Sequence, residues 1–103
     1  MLHPSKCARI LEQIVAIAKP RRVLVFGSAV LGKKRADDLD FLIVVADTSK
    51  TRDLARELYR TIHRSGISID LIVVTELEYS LECNSFWSVI AEAHREGKEI
   101  YVA

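Results

Sequence analysis

Three aspartates stand where aspartate is a costly choice. Asp38 lies at the mouth of the apolar run Leu39 to Val45, Asp40 interrupts that run, and Asp70 sits between Ile69 and Leu71 in another. Aspartate is a poor strand former, and a bare carboxylate in apolar surroundings is expensive. Side chains alternate along a strand, so Asp38 and Asp40 point the same way, about 6–7 Å apart. If the strand bearing Asp70 is a neighbour, its carboxylate comes within about 5 Å sideways. Such a cluster repels itself until it takes up protons or a cation neutralises it. Hard oxygen ligands suit Mg²⁺ or Mn²⁺. Two such ions about 4 Å apart can hold an in-line phosphoryl displacement, activating the attacking oxygen and stabilising the leaving one. The plainer alternative makes Asp37 and Asp38 turn residues and Asp70 a rim residue paired with an arginine, which needs three independent coincidences.

Gly27-Ser28 complements the acids. Glycine lets the backbone approach a ligand closely, exposed N–H groups at a helix start attract phosphate, and Ser28 adds a hydroxyl. Alone, such a pair is an ordinary turn. With Asp38-x-Asp40 following and an Asp70 inside a strand, it points to a polyphosphate site.

The elements that must position these residues follow from periodicity. Ser5 to Lys19 is expected as a helix, with Cys7, Ile10, Leu11, Ile14 and Ala18 on one face, Ser5 able to cap it and Pro20 ending it. Val23 to Phe26 is a short buried strand, and Ala29 to Leu31 forms a helical turn closed by Gly32. Leu39 to Val45 is a second strand. Thr51 to Arg64 is a helix with Leu54, Leu58 and Ile62 four apart and Gly66 as terminator. Ile67 to Val74 is a third strand, with Ile69, Leu71 and Val73 facing one way and Ser68, Asp70 and Ile72 the other. Phe86, Val89, Ile90 and Ala93 indicate a last helix ended by Gly97, and Ile100 to Val102 a closing strand. Helices alternate with strands, so the class is α/β or α+β: a small, mainly mixed sheet covered by helices. Strand order is not legible at this level.

The bulk numbers bound the answer. The 103 residues suffice for one domain, residues 1–103, with neither repeats nor a linker. Half the residues are hydrophobic and 28% are charged, an ordinary globular composition. The formal charge of +1 does not by itself demand a nucleic-acid partner. A basic run, Lys33, Lys34 and Arg35, precedes the acids. Cys7 and Cys83 are far apart and read as reduced structural thiols. No membrane span or signal peptide is recognisable, so a cytoplasmic location is the default expectation.

Val25-Phe26-Gly27-Ser28-Ala29, then Asp38-Leu39-Asp40-Phe41-Leu42-Ile43-Val44, then Ile69-Asp70-Leu71-Ile72 resemble the signature of the nucleotidyltransferase superfamily related to DNA polymerase beta. The tail from Phe86 to Val102, with Glu96-Gly97, resembles the minimal nucleotidyltransferases, and the likeness covers almost the whole chain. The resemblance implies that Asp38 and Asp40 bind two Mg²⁺ ions (Mn²⁺ being the other candidate), that Asp70 completes the metal site and helps deprotonate an acceptor hydroxyl, and that Gly27 and Ser28 hold the triphosphate, most readily ATP. It also implies a helical partner of the HEPN type, as in toxin–antitoxin couples where the transferase adds AMP to its partner. Two departures stand out. Leu31 occupies a place where the family commonly has arginine, and the loop to Asp38 is about one residue short, with Asp37 where serine is frequent. Lys33, Lys34 or Arg35 can restore the positive charge.

The expected function is therefore transfer of NMP to a hydroxyl, with a non-catalytic partner-binding module on the same fold as the alternative and a nucleotide sensor as a distant third. His3, His63 and His94 show no spacing suited to a metal or a triad. Trp87, Phe86 and Tyr59 are expected in core or interface, and nothing selects Tyr79 or Tyr101.

Overall fold

A computed structural model describes residues 4–26, 39–62, 69–86 and 88–103. The chain runs α1 (Pro4–Ala18), β1 (Arg22–Phe26), β2 (Leu39–Val45), α2 (Thr51–Ile62), β3 (Ile69–Thr75), α3 (Glu76–Glu82), α4 (Val89–Glu96) and β4 (Lys98–Val102). Among the described residues, four strands form one mixed sheet in the order β3-β2-β1-β4. β1 pairs antiparallel with β2 and β4, whereas β2 and β3 are parallel. This is the mixed, helix-covered sheet expected from the alternation of elements.

Strand alternation divides the core in two. Val23, Val25, Phe41, Ile43, Val45 and Leu71 face Ile10, Ile14 and Ala18 of α1 and Leu58 and Ile62 of α2. Leu24, Phe26, Leu42, Val44 and Val74 face Tyr79 of α3 and Ile90 and Ala93 of α4. Because β2 is covered on both faces, Phe41 to Val45 are all buried, and its sequence reads as a continuous apolar run. Lys19, at φ 47°, takes the left-handed turn that ends α1, and its N–H donates to the Val15 carbonyl.

Helix α3 lies between the expected third strand and last helix. Its signal is the capping box Thr75-x-x-Glu78. The Thr75 hydroxyl accepts from the Glu78 N–H at 3.1 Å, and Glu78 Oε1 accepts from the Thr75 N–H at 3.0 Å. Asp47 Oδ1 takes the Leu77 N–H at 2.8 Å, so the start of α3 is tied to the end of β2. The last helix begins at Val89 with Ser88 as its cap. Phe86, expected on its inner face, lies ahead of it with 84% of its surface exposed.

Tyr79 holds this half of the fold together. It is buried, its hydroxyl is 2.6 Å from His94 Nδ1 of α4, and the Arg22 guanidinium lies 5.1 Å from its ring centre. Arg22 also pairs with Glu99 of β4 at 3.2 Å; both are more than a third exposed, so the pair contributes no more than about 1 kcal/mol.

Gly97 has a steric reason beyond ending a helix. Its backbone is extended, but a methyl group there would run into the Ala93 carbonyl oxygen and stand 3.1 Å from that of Val25. Gly97→Ala is expected to lower stability by about 1–3 kcal/mol, measured by urea unfolding. Thr75→Ala removes one capping acceptor and should cost about 1 kcal/mol in the same assay.

Candidate functional site

Parallel pairing brings two of the singled-out acids together. The register sets Leu39 opposite Ile69, Asp40 opposite Asp70 and Phe41 opposite Leu71. Paired residues of neighbouring strands project from the same face, at a strand spacing of about 4.8 Å. Asp40 and Asp70 therefore share the face that carries Leu42, Val44 and Val74, and they mark its end at the start of both strands. On the other side of Asp40, the antiparallel partner is Phe26, the last residue of β1, buried on that same face. Asp40 is half-buried and Asp70 exposed, so the pair runs from the core edge to solvent.

The elements explain the placement. Leu71, one residue past Asp70, is buried against the cluster that includes Leu58 and Ile62 of α2, and Val74 is buried in the cluster that includes Tyr79 of α3. Those contacts fix the phase of β3 and hence the face on which Asp70 emerges. β3 is also an edge strand. Its Leu71 N–H donates to the Tyr59 hydroxyl of α2 at 3.0 Å, a contact that periodicity alone had not pointed out.

Gly27, Ser28 and Asp38, together with Leu31 and the basic run Lys33 to Arg35, lie outside the described residues. Gly27 is the residue after Phe26, the strand partner of Asp40, and Asp38 precedes Asp40 by two. Among the described residues no group of three or more His, Cys, Asp or Glu side chains could hold a metal ion; Asp40 and Asp70 are a pair. Two carboxylates side by side offer hard oxygen donors and a local negative charge, the chemistry that divalent Mg²⁺ or Mn²⁺ requires. His94, expected at a surface or boundary position of a helix, packs edge-on against Tyr79 with ring centres 5.6 Å apart.

Open clefts occur elsewhere on the surface. One of about 380 Å³ is lined by Arg22, Val44, Asp47, Glu76, Leu77, Tyr79 and Ser80, at the opposite end of β2 from Asp40. Another of about 430 Å³ lies between the end of α1 and the start of α2, with Lys19, Lys50 and Asp53 among its walls. Neither includes an aspartate of the pair. Exposed apolar side chains gather on α3, where Leu77 and Leu81 are 57% and 72% exposed. No helix among the described residues is long and apolar enough to cross a membrane.

Comparison with known proteins gives this geometry a context. A chain of a toxin–antitoxin complex with AMP-PNP superposes with a TM-score of 0.56 at 22% identity, over 99% of this chain and 75% of that one. A chain of the toxin–antitoxin MntA–HepT gives 0.56 at 18% identity, over 98% and 74%. A chain of the complex between tri-AMPylated Shewanella oneidensis HEPN toxin and MNT antitoxin gives 0.51 at 20% identity, over 96% and 69%. At such identities the likeness is one of fold. No curated protein matches the chain. The sequence itself matches the nucleotidyltransferase domain over residues 5–100, nearly its whole length. An acid pair on adjoining parallel strands, in a chain that carries this family's sequence pattern from end to end, leads to one conclusion: the protein belongs to the nucleotidyltransferase domain family.

Proposed function

We propose that this nucleotidyltransferase transfers NMP, AMP from ATP, to a hydroxyl group on a helical HEPN-type partner protein, as the antitoxin of a toxin–antitoxin pair. The observation that carries the reading is the register pair Asp40 and Asp70 on one face of adjoining parallel strands. The solved complexes of similar fold add context: one contains AMP-PNP, and one pairs an MNT antitoxin with a tri-AMPylated HEPN toxin.

In this scheme Asp38 and Asp40 supply metal-binding oxygens. Residues two apart in an extended chain are separated by about 6–7 Å, within reach of one metal pair. Asp70 completes the ligand set and accepts the proton of the attacking hydroxyl. Gly27 and Ser28 cradle the triphosphate, and the basic run Lys33 to Arg35 stands in for the arginine replaced by Leu31. The bond from the acceptor oxygen to the α-phosphorus forms as the bond to pyrophosphate breaks. Bound Mg²⁺ or Mn²⁺ would neutralise charge on the phosphates and lower the pKa of the hydroxyl. The protein's own work is positioning and electrostatic complementarity.

A second reading is favoured by α3. Tyr79 is buried on one side of this helix, while Leu77 and Leu81, four residues apart, share the opposite side and are largely exposed. A module that neutralises its partner by contact alone would use such a surface. In that case Asp40→Asn would bind and inhibit the partner as well as wild type does.

The direct assay is incubation with ATP labelled at the α-phosphate, Mg²⁺ and the product of the adjacent reading frame. Wild type is expected to label that protein and release pyrophosphate, and Asp40→Asn to lose at least about a hundredfold in rate while remaining folded. An unlabelled acceptor with every nucleotide would rule out the transferase reading. A separate measurement uses stability. Without metal, Asp70→Asn removes a like-charge neighbour and should melt no lower than wild type, with a gain of about 0.2–1 kcal/mol. Saturating Mn²⁺ should raise the wild-type melting temperature and leave that of the variant nearly unchanged.

A further inference from the structure

Asp70 is the second residue of β3, and among the described residues no strand pairs with the outer side of β3. Strand ends in such positions open first. The chain supplies a substitute: the Tyr59 hydroxyl, on α2, accepts the Leu71 N–H at 3.0 Å. That N–H belongs to the peptide unit joining Asp70 to Leu71. The unit is planar and trans, so its other end, the Asp70 carbonyl, points the opposite way, toward β2. Holding the N–H therefore fixes the plane of this peptide, which sets the ψ of Asp70. Leu71 is anchored a second time by its side chain, buried against the cluster that contains Leu58 of the same helix. Helix α2 thus grips β3 immediately after the aspartate, by one apolar and one polar contact.

We propose that Tyr59 is a positioning residue for the carboxylate pair: by holding the Asp70–Leu71 peptide at the open edge of the sheet, it keeps Asp70 in register with Asp40 and ready to share a divalent cation. This rests on the reading of Asp40 and Asp70 as metal-binding groups. A tyrosine placed only to cover apolar surface would need no hydroxyl. Tyr59 is 39% exposed, so its ring is not a buried core element, and its oxygen sits where a strand neighbour's carbonyl would be.

The test is Tyr59→Phe in the full chain, with Mn²⁺ alone as the probe and Asp70→Asn measured in parallel. Loss of the hydroxyl should speed amide hydrogen exchange at Leu71 by at least about tenfold and leave amides of β1 unchanged. Mn²⁺ affinity, by calorimetric titration, should fall about three- to tenfold, against a shift in melting temperature of no more than about 4 °C. Unchanged exchange at Leu71 would show that the hydroxyl does not hold the strand. Faster exchange with wild-type Mn²⁺ affinity would reduce Tyr59 to a seal on the sheet edge. Either result overturns the proposal while Asp70→Asn still loses Mn²⁺. Should Asp70→Asn bind Mn²⁺ as wild type does, the metal reading fails first and this inference falls with it.

Discussion

Parallel, in-register pairing of β2 with β3 is the constraint on which the rest of this structure turns. It places Asp40 and Asp70 side by side, and the apolar pattern of both strands enforces it. Sliding β3 by one residue would turn Leu71 out of the α1–α2 layer and drive Asp70 into it, against Leu58 and Ile62. The residues that build the core therefore also set the meeting of the acids. Two unit charges about 5 Å apart repel by about 1 kcal/mol in water and by about 3 kcal/mol at an effective dielectric of 20. Exposure at Asp70 keeps that repulsion near the lower figure, and a shared cation would turn it into attraction.

The two ends of β2 have different work. At its start stands the acid pair, beside the last residue of β1. Its far end is densely tied: Arg21 N–H donates to the Val44 carbonyl, Asp47 caps α3, and Arg22 lies over a tyrosine bonded to His94. Side chains from β1, α3 and α4 meet in that knot, and the ion pair to Glu99 adds β4. A rigid far end fixes the strand that carries Asp40, and fixed geometry is what catalysis by positioning demands.

Much of this architecture was legible because both faces of the sheet are buried. β2 emerged at its full bounds, and α1, β1, α2 and β3 within a residue or two wherever the structure describes them. Helix α3 was not legible. It starts directly after β3 with no linker, its one buried residue is Tyr79, and Leu77 and Leu81 point outward, so no stripe forms over its two turns. The chemical cue, a threonine three residues ahead of a glutamate, was present and outweighed by the strand pattern. Alternation predicted the face of Asp70, whereas its partner depended on strand order, which only the fold supplies. Tyr59 was invisible for the same reason: its role is a contact with a backbone group twelve residues away, and backbone groups leave no trace in a side-chain pattern.

Placing an acid on an edge strand has a further consequence. Asp70 is exposed at the rim of the sheet. Among the described residues no strand lies beyond β3 to hold the aspartate still. Rigidity at Asp70 comes instead from the layer behind the sheet, where α2 holds β3 by the Leu71 side chain and the Tyr59 hydroxyl.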